Sequence, residues 1–380
     1  MSRNQRILAI IAAILIIGGA GYWFKSGLEK SDEIKIGSVL LLSGDNALWG
    51  ENARKAIDMI AHEINGAGGI DGKKLSVVYE DSKGDPKTAV SAFRKLVDID
   101  HVPAILGDMI SSTVLAMAPL ADQYGVILMG ISSSAPAVSN AGSFVYRVWP
   151  SDLYEGKVFA EWVHEKGYQN VGILHLNNEY GNGLKDAFKI RFIGLGGAVT
   201  IEEAYNSGDI DLRAITTKAK QANPQAVYVV GYYEDTARMV KQLRQSGYQG
   251  KILGTSSSIH VKLFEIAGDA ADGFAAALVN DFDVEALTPS QKAFVDKFRA
   301  RYSVDPDWAA THAADAIKVF VSCFEKGSRN GKELKECIDS VRSFEGVNKS
   351  VSFDENGDVI NKPLAVQEAH KGKFVTIWRQ

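Results

Sequence analysis

Between Ile64 and Gly107 the chain changes its hydrophobic period several times within about forty residues, and that punctuation limits what it can fold into. Ala53, Ile57, Ile60 and Ile64 recur at spacings of three and four, which places them on one face of a helix. Gly66, Gly68 and Gly69 follow, offering backbone positions that turn left-handed and close that helix. The run VVYED then reads as a strand. Asp85-Pro86 opens the next helix, with Asp85 as N-cap and Pro86 at the first helical position, where its missing N–H costs nothing. Val90, Phe93 and Val97 give that helix a core face, and PAILG supplies the following strand. Helix, strand, helix, strand at this density is the alternation of a parallel sheet covered by helices.

The alternation runs well beyond this segment. Strands at 34–41, 75–80, 102–107 and 126–131 are interleaved with helices at 51–65, 87–98 and 112–124. After Tyr146-Arg147-Val148-Trp149-Pro150 it restarts, with helices at 152–166, 181–195, 211–221 and 234–246 and strands at 171–176, 198–204, 225–231 and 251–255. Two sets imply two sheets, and 380 residues exceed what one core usually supports. The late helices 289–302, 308–326 and 331–343 bring no strands of their own, so they return to the first lobe. A closing hairpin from Pro363 onward attaches to the second.

Four segments, IKIGSVLLLSGDNALWGENARKAIDMI, ILGDMISSTVLAMAPLADQYGVILM, HLNNEYGNGLKDAF and VSFDENGDVINKPLAV, span nearly all of residues 34 to 376. In order and spelling they resemble the type I periplasmic solute-binding proteins, in particular the leucine/isoleucine/valine-binding group that serves ABC transporters. It implies an α/β fold of two lobes, each a mostly parallel sheet flanked by helices, with three hinge crossings. Residues 33–147 plus 280–344 are then expected to form one lobe and 148–279 plus 345–380 the other. Besides Tyr146–Pro150, the crossings are placed near Gly273 to Asp281 and near Phe344 to Val351.

The N-terminus reads as an address. Arg3 and Arg6 precede an apolar run from Ile7 to Ala20, followed by Tyr22, Trp23, Phe24 and Lys25. That is the layout of an export signal. The small residues Gly18-Gly19-Ala20 suit cleavage, whereas the aromatic cluster with Lys25 suits an anchor in the cytoplasmic membrane, spanning residues 7–24. Either way, residues 1–26 precede a body expected in the periplasm or otherwise outside that membrane. The formal charge of −4 becomes −7 once these residues are set aside, and a mildly acidic body argues against a nucleic-acid partner. In an oxidising compartment Cys323 and Cys337, on the apolar faces of consecutive helices, can bridge; otherwise they are two buried thiols. Without clustered histidines they make no metal site.

In open α/β sheets ligands sit beyond the carboxyl ends of the strands. Four junctions there are unusually polar. Ser111, Ser112 and Thr113 follow strand 102–107, where free N–H groups at a helix start suit a carboxylate, although one serine is explained as well by capping. Ser132, Ser133 and Ser134 follow strand 126–131. By resemblance, Ser132 offers backbone groups and Ser134 its hydroxyl to the α-amino and carboxylate groups of a ligand. Tyr180 and Tyr232 match the family's aromatic contacts from the second lobe, and Trp49 matches the residue that closes over the ligand from the first.

One position departs from the pattern. Amino-acid binders of this family place a Glu after strand 251–255 to pair with the ligand ammonium, and this chain has Ser256 there. A buried ammonium without an anion is costly, so Glu234, Asp235 and Asp108 become the candidates to replace it. If none reaches, a small carboxylate lacking the amine is the better ligand. No nucleophile with a base, no metal-ligand spacing, no nucleotide-binding glycine motif and no Gly-x-Ser-x-Gly elbow is present, so no enzyme, metal or cofactor is expected. The reading that follows is a monomeric binding protein that captures a small ligand with a carboxylate, a hydrophobic or branched-chain amino acid first, and delivers it to an ABC permease. Its alternatives are a binder of non-amino carboxylates and a membrane-tethered sensing subunit.

Overall fold

The computed structural model describes residues 33–279 and 287–380. The N-terminal address segment and part of the crossing expected at Gly273 to Asp281 lie outside these residues. Two main sheets carry the fold. The first contains β1 (Glu33–Leu40), β2 (Lys74–Asp81), β3 (Ala104–Leu106), β4 (Ile127–Gly130) and β5 (Val145–Arg147), all parallel, in the order β2-β1-β3-β4-β5. The second has a parallel part with β6 (Asn170–Leu176), β7 (Ala198–Tyr205), β8 (Ala226–Val230), β9 (Lys251–Gly254) and β10 (Ala275–Val279), ordered β7-β6-β8-β9-β10. Antiparallel β13 (Leu364–His370) and β14 (Lys373–Arg379) extend it, after a short pair of β11 (Phe344–Glu345) and β12 (Ser350–Val351).

The strands are apolar because both faces are covered. Ile36, Leu40, Leu106, Ile127 and Met129 of the first sheet are buried, as are Ile173, Val229, Ile252 and Ala276 of the second. On the first sheet lie α1 (Ala47–Gly66), α2 (Pro86–Asp98) and α3 (Ser111–Tyr124). On the second lie α4 (Asp152–Glu165), α5 (Glu179–Gly194), α6 (Arg213–Ala222), α7 (Tyr233–Gln245) and the short α8 (Lys262–Ala267). The late helices α9 (Pro289–Tyr302), α10 (Trp308–Glu325) and α11 (Gly331–Ser340) do return to the first sheet, where α9 and α10 pack on α1 and Tyr302 Oη donates to the Lys55 carbonyl at 2.7 Å. A disulfide joins Cys323 of α10 to Cys337 of α11.

Two departures from the sequence reading concern the crossings. Residues 275–279, expected in a crossing, are strand β10. The final crossing comes later than Phe344 to Val351, because Asp354 to Val359 still runs beside β5 and the chain joins the second sheet only at Leu364. The cause is Arg147. Its fully buried guanidinium donates to both Asp358 carboxylate oxygens at 2.6 and 2.8 Å, which fixes that segment to the edge of the first sheet.

Candidate functional site

Each sheet has a switch point where the strand order reverses, between β1 and β3 in the first and between β6 and β8 in the second. The loops at the carboxyl ends of these strands face one another around a small cavity. Its walls are Trp49, Met109, Ser111, Ser132, Ser134, Trp149, Glu155, Tyr180, Tyr232, Ser256, Ser257 and Trp308.

The first-lobe side is built from hydroxyls. Helix α3 starts at Ser111 with no side-chain cap, so neither Ser111 nor Ser112 is spent on capping. Ser111 Oγ instead accepts from the Ala135 N–H at 3.1 Å, tying the α3 start to the Ser132–Ala135 loop. Ser132 Oγ donates to the Met109 carbonyl at 3.4 Å. Ser112 lies apart from this group, on a separate polar cavity at the cleft mouth that also has Asp45, Lys83, Asn178 and Tyr232 in its wall.

The second-lobe side is aromatic. Tyr180 and Tyr232 are stacked with centroids 5.4 Å apart. Tyr180 Oη is held by Thr255 Oγ1 at 2.9 Å and Ser257 Oγ at 2.6 Å, and Tyr232 Oη accepts from Asn178 Nδ2 at 3.3 Å. Bonded hydroxyls let each ring serve as apolar wall at little cost. From the first lobe, Trp49 meets Tyr232 edge-on at 5.6 Å and Tyr233 at 4.9 Å, so the two lobes are in contact over the cavity. Trp308, at the start of α10, touches Trp49 and Trp149 with centroids 5.1 Å from each.

The three acids named from sequence as substitutes at position 256 do not line the cavity. Asp108 accepts from the Met109 N–H and Thr113 Oγ1, and burial pushes its carboxyl up to about 6. Glu234 pairs with Arg238 at 2.6 Å, and Asp235 accepts from Ser207 Oγ and the Gly208 N–H at 2.9 Å each. All three are engaged with other protein groups: Asp108 with its own loop and the start of α3, Asp235 with the Ser207-Gly208 loop, Glu234 within helix α7.

The acid that does reach the cavity is one the sequence reading passed over. Glu155, in the first turn of α4, is 3% exposed and accepts from both the Ser256 N–H at 3.1 Å and Ser256 Oγ at 2.6 Å. Burial raises its carboxyl above the ordinary value, and the two Ser256 bonds act against that rise. Asp152, one turn earlier, is buried too and is pushed well above the carboxylate range, by burial first and by the Glu155 charge second. Trp149 and Trp308 were also missed. The available signal was position: a helix emerging from a crossing must start at the cleft, and Trp149-Pro150-Ser151-Asp152 announces such a start.

A sequence model of the periplasmic binding protein family matches residues 33–373, nearly the whole described body. The chain belongs to that family. Among its relatives within the periplasmic binding proteins is the leucine-, isoleucine-, valine-, threonine- and alanine-binding protein of Pseudomonas aeruginosa, 30% identical over 372 residues and 97% of each chain. The leucine-binding protein of Thermotoga maritima superposes with a TM-score of 0.85 at 29% identity, over 91% of this chain and 98% of that one. The branched-chain amino acid transporter substrate-binding protein of Streptococcus pneumoniae, solved with isoleucine, gives 0.83 at 27% identity, over 90% and 99%. These periplasmic binding proteins share the two-lobed α/β fold.

Proposed function

We propose that this chain is the extracytoplasmic substrate-binding component of an ABC importer and that it captures an amino acid between its two sheet-centred lobes. The observation that carries this reading is the cavity itself, where hydroxyls at the uncapped start of α3 face a stacked tyrosine pair from the opposite lobe. The α-carboxylate would lie on Ser111 and Ser134 and the first N–H groups of α3, where hydrogen bonding and the helix dipole both favour an anion. The apolar side chain would lie among Trp49, Tyr180, Tyr232 and Trp308. The three relatives reported above, named for or solved with leucine, isoleucine or related amino acids, point the same way.

Such a ligand touches both lobes and therefore favours the closed population by its difference in affinity for the two states. The closed, monomeric form would then dock on a permease. A thermal-shift panel of the common amino acids and their des-amino analogues tests the reading. A true ligand at a hundredfold excess over Kd stabilises the folded chain by about 2.7 kcal/mol. Amino acids should raise the melting temperature and the des-amino acids should do so far less. A panel in which only the des-amino acids act would replace the amino-acid reading with that of a carboxylate binder.

A further inference from the structure

Glu155 presents an unusual balance. It is nine-tenths buried, it faces the cavity, and its partners are the backbone N–H and hydroxyl of one neutral serine. Among the described residues no Lys, Arg or His is paired with it. The buried cation nearest in sequence, Arg147, is committed to Asp358. Taking a carboxylate out of water without a cation is costly, so the arrangement makes physical sense if a cation arrives with the ligand.

We propose that Glu155 is the anion that receives the ammonium group of the bound amino acid, and that Ser256 is the clamp that aims it. This rests on the amino-acid reading above and deepens it. The two Ser256 bonds fix the carboxylate plane and leave a lone pair on each oxygen for the ligand. Position in the first turn of α4 helps keep Glu155 ionised, because the helix start favours negative charge. Of the two acids in that turn, Glu155 is the one that lines the cavity, and its charge is among the causes that push the Asp152 carboxyl up. The tyrosine and tryptophan walls exclude water and strengthen the attraction. Since Ser256 Oγ lies 2.6 Å from the Glu155 carboxylate, an acid grafted at 256 would address the same point in space.

The test is calorimetric titration of the purified chain with leucine and with 4-methylpentanoate, which is leucine without its amine. Glu155→Gln should weaken leucine by at least about 100-fold, as expected when one member of a buried charge pair is removed, and should leave 4-methylpentanoate equal or tighter. The reciprocal double variant Glu155→Gln with Ser256→Glu should recover at least about tenfold of the loss. The ligand-free melting temperature of Glu155→Gln should equal or exceed that of the parent, since an uncompensated buried charge is gone. Should that variant not fold, Ser256→Ala replaces it, with a loss of about tenfold for leucine expected from the missing clamp. Leucine affinity unchanged in the folded variant, or no recovery in the double variant, overturns the proposal while leaving the amino-acid reading in place. Failure of the parent chain to bind leucine or any other common amino acid overturns that reading instead.

Discussion

The two lobes begin with the same device and end with different chemistry. In each, the first strand runs into a helix whose first turn carries an aromatic residue followed by glycine: Trp49-Gly50 after β1 and Tyr180-Gly181 after β6. Neither glycine is needed for a turn. Each is needed for closeness, since a Cβ on Gly50 would lie 1.9 Å from the Leu41 carbonyl oxygen, and one on Gly181 would lie 2.0 Å from that of Leu176. The helix can therefore sit against the strand end and hold its aromatic ring over the cleft. Beyond this point the lobes diverge, one lining the cavity with Ser111, Ser132 and Ser134, the other with Tyr180, Tyr232, Glu155 and the Ser256 that holds it. Repeated backbone geometry builds the scaffold, and a few loop and helix-start side chains give each half its own task.

If the shared device is structural, breaking it should cost both lobes alike. Gly50→Ala and Gly181→Ala are each expected to destabilise the chain by about 3 kcal/mol through backbone overpacking, measured by urea unfolding. A loss confined to one variant would mean that only one lobe depends on it. The chemical divergence is tested next. Ser111→Ala combined with Ser134→Ala should weaken any carboxylate ligand by about 100-fold in calorimetry, with the far-ultraviolet circular dichroism unchanged. Unaltered affinity would move the anion end away from the first lobe.

The crossings differ as well. Where Arg147 pairs with Asp358, the segment near α10 is held by Asp315, which accepts from the N–H groups of Val347 and Asn348. Burial pushes the Asp315 carboxyl up to about 6, against the hydrogen bonds and Lys362. Because this value lies above that of the unfolded chain, the stability it contributes is complete below about pH 4 and is lost as pH rises through about 6. Asp315→Asn should thus remove a decline of about 2 kcal/mol between pH 4 and 7, read from urea midpoints across that range. A parallel pH dependence in parent and variant would show that Asp315 is ionised at no such cost. The smallest effect belongs to Tyr180→Ala, expected to speed ligand release by about tenfold in stopped-flow fluorescence without changing the fold. Loss of folding would make Tyr180 a core residue like its stacked partner's neighbours.

Much of the scaffold was legible because period and punctuation are local. Asp85 does cap α2, accepting from the Thr88 N–H at 2.8 Å, and α9 runs from Pro289 to Tyr302 as the pattern indicates. The strand-to-helix junctions were legible for the same reason, and Ser111, Ser134, Tyr180 and Tyr232 meet at one cavity. What escaped were features set by distant partners. The late final crossing depends on Arg147 finding Asp358, more than two hundred residues away. Glu155 escaped because an acid in the first turn of a helix is ordinary, and nothing local distinguishes one that caps a dipole from one aimed into a cleft. Position 256 is a visible departure in the sequence, but its partner Glu155 lies about a hundred residues away and no local pattern joins the two.

The most direct test of capture between lobes is solution X-ray scattering of the chain with and without the amino acid that gives the largest thermal shift. Closure of two lobes on a shared ligand predicts a smaller radius of gyration on saturation, abolished when Ser111→Ala and Ser134→Ala are combined. Tight binding with an unchanged radius of gyration would contradict it, placing the ligand on one lobe alone.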